Sequence, residues 1–308
     1  MPRHQPPLPS PIEPLLTRHH NLRSAFPIRI PTLWNMFLAA RETYWLPTRL
    51  DLEEDKRQWA TSMAKGEKWI VTRALAFFAT SNGIVADNII CRFCQEVAYS
   101  EAKYFYGFQV VKENVHAETY AKLIDAVVPD LEEQAVLLRW STIVPSIAFK
   151  NIWAVKWMLE ARRSFADRLV AFICVQVIFS ASSFAAMGWL KSRNKMPGLS
   201  LAIDMISKDG RSHLDFACAL FRRVKTMPTE SVIREIIREA TDIEAEYATG
   251  ASNCLVSVPA TNLTVDLLSG SEHGLDLQEM VLFIRFVADH LLLKLGYKAA
   301  FNAYNPVS

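Results

Sequence analysis

Glu113 and His116 stand three residues apart, and Tyr120 follows four residues after His116. On a helix of about 3.6 residues per turn the three side chains share one stripe. A carboxylate, an imidazole and a phenol turned into one helical core suggest a redox metal site, because helical bundles build dinuclear iron centres from Glu-x-x-His pairs. The plainer alternative is a solvated Glu and His on an outer helix face. The flanking sequence separates the two.

Such a stripe needs other helices around it, and apolar residues recur at helical spacing from Pro31 onward. Helices are expected over 32–45, 52–60, 66–97, 101–126, 131–160, 163–192, 199–224, 229–252 and 276–296. No alternating strand of useful length occurs, so the fold class is all-α. Residues 1–25, with Pro2, Pro6, Pro7, Pro9, Pro11 and Pro14, read as a disordered tail lacking the apolar run of a secretion signal. Residues 26–308 then form one helical domain. No charge falls between Leu169 and Leu190, a stretch long enough to cross a bilayer. Its Gln176, Ser180, Ser182 and Ser183, and the charged helix before it, favour a core helix walled by neighbours over a membrane span. Between Leu255 and Leu275 the pattern breaks at Gly270, Ser271 and Gly274, which reads as a polar loop tolerated at modest entropic cost.

Composition narrows the function classes. A chain of 308 residues with 51% apolar content can bury one large core or two small ones. The net charge of +2, without a basic stripe, gives no nucleic-acid surface. Five cysteines without regular spacing suit a reducing cytoplasm better than a disulfide framework. Cys91 and Cys94 form a Cys-x-x-Cys in mid-helix, but no second pair completes a zinc site, and they read as buried thiols.

Specific segments surround the Glu-x-x-His. They are Phe26-Pro27-Ile28, Pro31-Thr32-Leu33-Trp34, Tyr44-Trp45, Leu50-Asp51-Leu52, Leu75-Ala76-Phe77-Phe78-Ala79 and Phe105-Tyr106-Gly107-Phe108-Gln109. Met196-Pro197-Gly198-Leu199, Asp215-Phe216-Ala217-Cys218 and Phe286-Val287-Ala288-Asp289 follow. Together they resemble the eukaryotic and viral-type small, radical-generating subunit of class I ribonucleotide reductase. The resemblance implies a ferritin-like helical bundle, a dimer, and two iron or manganese ions between helices. It also implies an oxidoreductase component that serves deoxyribonucleotide synthesis with a large subunit. By motif it places Asp51 as the first-metal carboxylate, Glu113 as the bridge, and His116 and His213 as the two imidazoles. Tyr120 falls on the radical tyrosine, and Trp34, His116 and Asp215 fall on the hydrogen-bonded chain that carries the radical hole between subunits.

Three departures bear on the chemistry. Where the family has Val-Glu this chain reads Val175-Gln176, and where the family has Asp-Glu-Gly-Leu-His it reads Asp209-Gly210-Arg211-Ser212-His213. An amide and a residue without a side chain thus replace two ligand carboxylates. Ser180 replaces a Phe beside the tyrosine, while Phe184 on the next turn is kept. Its hydroxyl either gives solvent a foothold there or bonds back to its own helix. The chain stops at Ser308, soon after Asn305-Pro306, where the family continues into a docking tail.

Two divalent ions bring four positive charges, and only Asp51 and Glu113 are expected to oppose them. Hard cations prefer anionic oxygen, and unopposed charge in a dry core is costly. The expectation is at most one iron or manganese ion per chain, held by Asp51, Glu113 and His116. The chain then reads as a degenerate subunit that supports a competent small subunit. Its expected partners are the large subunit, a paralogous small subunit or both, in a homo- or heterodimer, with neither nucleic acid nor membrane. The alternative is a working small subunit in which Tyr120 carries a radical for ribonucleoside-diphosphate reduction. A different ferritin-like di-metal protein is the third reading.

Overall fold

The computed structural model describes residues 13–17, 26–160, 162–249 and 276–306. Among them the regular elements are helical: α1 Pro31–Glu42, α2 Glu53–Thr61, α3 Lys65–Asn88, α4 Cys94–Glu96, α5 Ser100–Val127 and α6 Leu131–Ile143. Then come α7 Pro145–Leu159, α8 Phe165–Val177, α9 Ala181–Ser192, α10 Pro197–Phe221, α11 Glu230–Thr249 and α12 Leu277–Leu295. Local chemistry sets many of the ends. Pro31, Pro145 and Pro197 open helices where a missing N–H costs nothing. Asp130 and Asp276 accept hydrogen bonds from first-turn amides, and Ser164 and Asp167 cap α8 reciprocally. Gly296, at φ 94°, closes α12 in the left-handed region that favours glycine.

α5 and α8 lie at the centre. α5 packs on α1, α3 and α10, and α8 packs on α7, α10 and α11. Leu169 to Val175 of α8 are all buried, so the uncharged stretch is uncharged because other helices surround it. The aromatic core is dense near the α5–α10 seam, where the Phe105 and Phe216 rings stack with centroids 3.7 Å apart.

Two expected helices are broken. The 131–160 run divides at Val144, because Pro145 disfavours helical geometry before it and starts a new helix. The 163–192 run divides at Ile178–Ser180. There the Phe179 N–H reaches the Cys174 carbonyl at 3.1 Å, and the Ser180 hydroxyl donates to the Gln176 carbonyl at 2.7 Å. Distant side chains satisfy the groups freed by this break. Lys150 on α7 donates to the Phe179 carbonyl at 2.8 Å, and Glu244 on α11 accepts from the Ser182 amide at 3.0 Å. Lys150 and Glu244 pair with each other at 2.5 Å, fully buried. The ammonium also lies 3.3 Å from the Tyr247 ring centroid and 4.0 Å from that of Phe77. Burial pushes Lys150 down to about 8 and pushes Glu244 up, so the pairing offsets only part of the cost of the dry setting. A third interruption, at Ile89–Phe93, is a π-helical turn between α3 and α4.

The tail reading needs correction at residues 13–17. Leu15 is buried and its carbonyl accepts from the Ala98 amide at 2.8 Å. Glu13 accepts from the amides of Lys225 at 2.7 Å and Thr226 at 2.9 Å. The rest of 1–25, and the 255–275 loop, lie outside the described residues.

Gly198 meets a close approach at the start of α10: a Cβ there would stand 2.5 Å from the Asp51 carbonyl oxygen and 2.9 Å from an Asp55 carboxylate oxygen. That carboxylate caps α10, accepting from the Gly198 and Leu199 amides at 2.8 Å each. Gly198→Ala is therefore expected to cost about 1–3 kcal/mol in denaturant unfolding. Lys150→Met, which strands Glu244 without its cation, is expected to cost about 3–5 kcal/mol in the same measurement.

Candidate metal centre

Four helices and one loop converge on a buried polar cluster. α5 supplies Lys112, Glu113, His116 and Tyr120; α10 supplies Asp209 and His213; α3 supplies Asn82; α8 supplies Gln176. Trp45 comes from the segment after α1. Glu113 is the hub. One of its oxygens lies 3.2 Å from His116 Nδ1 and the other 3.3 Å from His213 Nδ1. The Gln176 amide donates to it at 3.4 Å, and the Asn82 amide donates to the Glu113 backbone carbonyl at 2.9 Å.

A second carboxylate extends the network. Asp209 Oδ2 lies 3.1 Å from His116 Nε2 and accepts from the Trp45 indole at 2.8 Å. The other Asp209 oxygen accepts from the Lys112 ammonium, which also donates to Thr43 Oγ1 at 2.9 Å. A carboxylate only accepts, so the two carboxylates flanking His116 require a proton on each ring nitrogen. Burial pushes His116 down, but its bonds to Asp209 and Glu113 outweigh burial and hold it at about 9. Burial likewise pushes Glu113 up, and His116 and His213 more than reverse it, leaving Glu113 well below the usual carboxylate range.

Tyr120 lies beside this cluster with its ring stacked on Phe78 at 5.2 Å, and Phe78 in turn meets Phe184 at 5.4 Å. Burial, then the Glu113 charge, pushes the phenol well above its usual range. A cavity of about 70 Å³ touches Tyr120, Glu113, Gln176, Gly210 and His213. Gly210 leaves open space where a side chain would project, with nothing within 4 Å of a Cβ. The Ser180 hydroxyl donates back to the Gln176 carbonyl at the end of α8, the second of the two outcomes expected for it.

Of the expected site residues, Glu113, His116, His213 and Tyr120 come together. Asp51, Trp34 and Asp215 do not. Asp51 is exposed in the loop before α2, where its carboxylate accepts from the Glu53 amide at 3.1 Å and so caps a helix. Trp34 packs in an outer aromatic cluster with Phe37 at 5.2 Å and Tyr104 at 5.5 Å. Asp215 is exposed and pairs with Lys294 at 2.5 Å. Helical spacing explains the last correction. Asp215 is two residues from His213 and points elsewhere, whereas Asp209, four residues before it, shares its face. Trp45, Asp209, Lys112 and Asn82 are the members that sequence reasoning missed as a group. Only Asp209 carried a readable signal in its spacing.

A helical bundle with a buried carboxylate–imidazole cluster beside a shielded tyrosine is the architecture of a ferritin-like protein. Comparison with known proteins agrees. Residues 23–306 match the family model "Ribonucleotide reductase, small chain". The protein is 39% identical over 296 residues to the ribonucleoside-diphosphate reductase small subunit of Nicotiana tabacum, an alignment that spans 96% of this sequence and 84% of that one. It is also 38% identical to the small subunit of Variola virus, spanning 96% and 87%. Among solved structures it is similar to the Saccharomyces cerevisiae Rnr4 homodimer, at 30% identity and a TM-score of 0.83, spanning 96% of this sequence and 88% of that one. The chain belongs to the class I ribonucleotide reductase small-subunit family, of the eukaryotic and viral type.

The family binds iron or manganese. The residues present here do not fit a pair of such ions. Around Glu113 the helices offer Asn82, Gln176 and Gly210, two amides and a void, and Asp209 is already held by three donors. Two imidazoles and the single Glu113 carboxylate between them cannot neutralise two divalent cations in a buried core.

The raised His116 value carries a sign for stability. A proton held to about 9 in the fold, against 6.5 when unfolded, stabilises the fold fully below pH 6.5 and is lost as pH rises through 9. The loss is at most about 3 kcal/mol at roughly 1.4 kcal/mol per unit. Urea unfolding at about pH 6 and about pH 9.5 is expected to show that decline, and His116→Gln is expected to flatten it.

Proposed function

We propose that this chain is a supporting small subunit of ribonucleoside-diphosphate reductase, acting in the cytoplasm in deoxyribonucleotide synthesis. It pairs with a metal-competent small subunit of the family, which it stabilises or helps to load, and the pair serves the large subunit. It holds at most one iron or manganese ion itself. The observation that carries this reading is the pairing of each Glu113 oxygen with an imidazole, in a cluster whose other ligand positions offer amides or open space.

A second reading is favoured by one specific feature. The unbroken hydrogen-bonded run Trp45–Asp209–His116 and the shielded Tyr120 are the parts a working radical subunit would use. Under that reading Tyr120 carries a radical once a partner subunit supplies what this site lacks.

One set of measurements separates the two. The isolated chain is expected to hold fewer than two metal ions by elemental analysis and to give no tyrosyl radical signal by electron paramagnetic resonance. Mixed with the large subunit and a competent small subunit, it is expected to raise dNDP formation equally as wild type and as Tyr120→Phe. Abolition of that gain by Tyr120→Phe would establish the second reading. The triple variant Asn82→Asp, Gln176→Glu, Gly210→Glu is expected to gain metal, since it places three further carboxylates in the cluster.

A further inference from the structure

Lys112 is about 1% exposed, one residue before Glu113, with its ammonium on Asp209 and Thr43. A buried ammonium survives only when it is paired and hydrogen-bonded. Here it completes an alternating row: Lys112, Asp209, His116, Glu113. His116 faces a carboxylate oxygen from each ring nitrogen and is therefore an imidazolium. His213 needs one proton to meet Glu113. Two cations and two carboxylates sum to zero. Arg49 and Lys208, which border the outer side of Asp209, are exposed and screened by solvent.

We propose that the Lys112 ammonium is the resident cation of this cluster, standing in for the charge of a metal and keeping divalent ions out. The inference rests on the supporting-subunit reading and sharpens its limit of one ion to none. The balance follows from counting charges. A divalent ion takes the His116 and His213 imidazoles as neutral ligands. With Lys112 present, three positive charges then face two carboxylates, and the cluster is left at +1. Without Lys112 the ion's two charges meet the two carboxylates alone, and the sum is zero. The donor set for that ion already exists: two imidazole nitrogens, Glu113, and the Gln176 Oε1, which lacks a hydrogen-bond partner. Net charge in this buried cluster decides between these states, because charges are screened least where their side chains are buried.

The test compares wild type, K112M and K112R in EDTA and in Mn(II), reading thermal midpoint and manganese per chain. Wild type is expected to bind no Mn(II) and to melt at one temperature in both. K112M is expected to melt about 5–10 °C lower in EDTA, the order of effect for a stranded buried charge in a chain of this size. It should recover in Mn(II) with about one ion bound, and K112R should behave as wild type. If K112M does not fold in EDTA, K112Q, which keeps a donor toward Asp209 without the charge, is measured by its recovery of helical circular dichroism in Mn(II). A neutral variant that keeps the wild-type midpoint, or that weakens and stays indifferent to Mn(II), overturns the inference alone. Two ions and a radical signal on wild type would overturn the supporting-subunit reading as well.

Discussion

One carboxylate, Glu113, lies between two imidazoles on different helices, and the geometry of the cluster follows from that. Each oxygen is already engaged, one by His116 and the other by His213, so α5 and α10 are tied through it deep in the bundle. A carboxylate between two nitrogen donors is satisfied without any metal. A carboxylate shared by two cations is a different electrostatic object and needs companion anions, whereas α3 and α8 offer amides here and the one carboxylate from α10, Asp209, is already paired with Lys112 and His116. The amide of Gln176 and the open space at Gly210 therefore leave no unmet charge beside Glu113. The remaining groups pair with one another, and Lys112 and Asp209 extend the pairing outward to Trp45.

Buried charge recurs across the bundle, with the opposite accent. The Lys150–Glu244 pair supports no site; it fills the gap made where α8 stops and α9 begins. That break carries the Gln176 carbonyl and the Ser180 hydroxyl that face each other beside the tyrosine pocket. The wall of the candidate site is thus set in part by a pair on α7 and α11. Both networks follow one rule: a charge enters the buried core only with its counter-charge and with further polar groups, side chains around Asp209 and backbone around Glu244, that take up the remaining valence.

Helical periodicity exposed much of this in the sequence. Glu113, His116 and Tyr120 share a stripe by spacing, and the all-α class follows from the same pattern. What periodicity cannot give is which loop returns to which helix. Trp34 lies within α1 and Trp45 just beyond it, and only the path of the chain after α1 brings Trp45, not Trp34, against Asp209. Asp51 fits a short motif, yet it stands just ahead of α2, where carboxylates cap helices as readily as they bind metals. Asn82 was hidden in an apolar run because an amide facing a helix carbonyl leaves no periodic mark. The helix break at Ile178–Ser180 was invisible for a related reason: the groups that stabilise it come from distant segments.

The retained run Trp45–Asp209–His116 is weak evidence of redox competence, for a physical reason. Each bond in it also satisfies a buried polar group: an indole N–H, one carboxylate oxygen, an imidazole nitrogen. Breaking any of them leaves an orphaned donor or acceptor, at about 1–3 kcal/mol for a neutral group and more for a charged one. Stability alone would therefore keep this run in a protein that moves no electrons. The Lys112 contact points the same way. An ammonium bonded to Asp209 neutralises the anion nearest the indole, and it raises the cost of placing further positive charge there, whether a cation on the indole or a metal behind His116. The electrostatics of the two carboxylates, more than the hydrogen-bond path between them, separate a radical generator from a scaffold built on the same bundle.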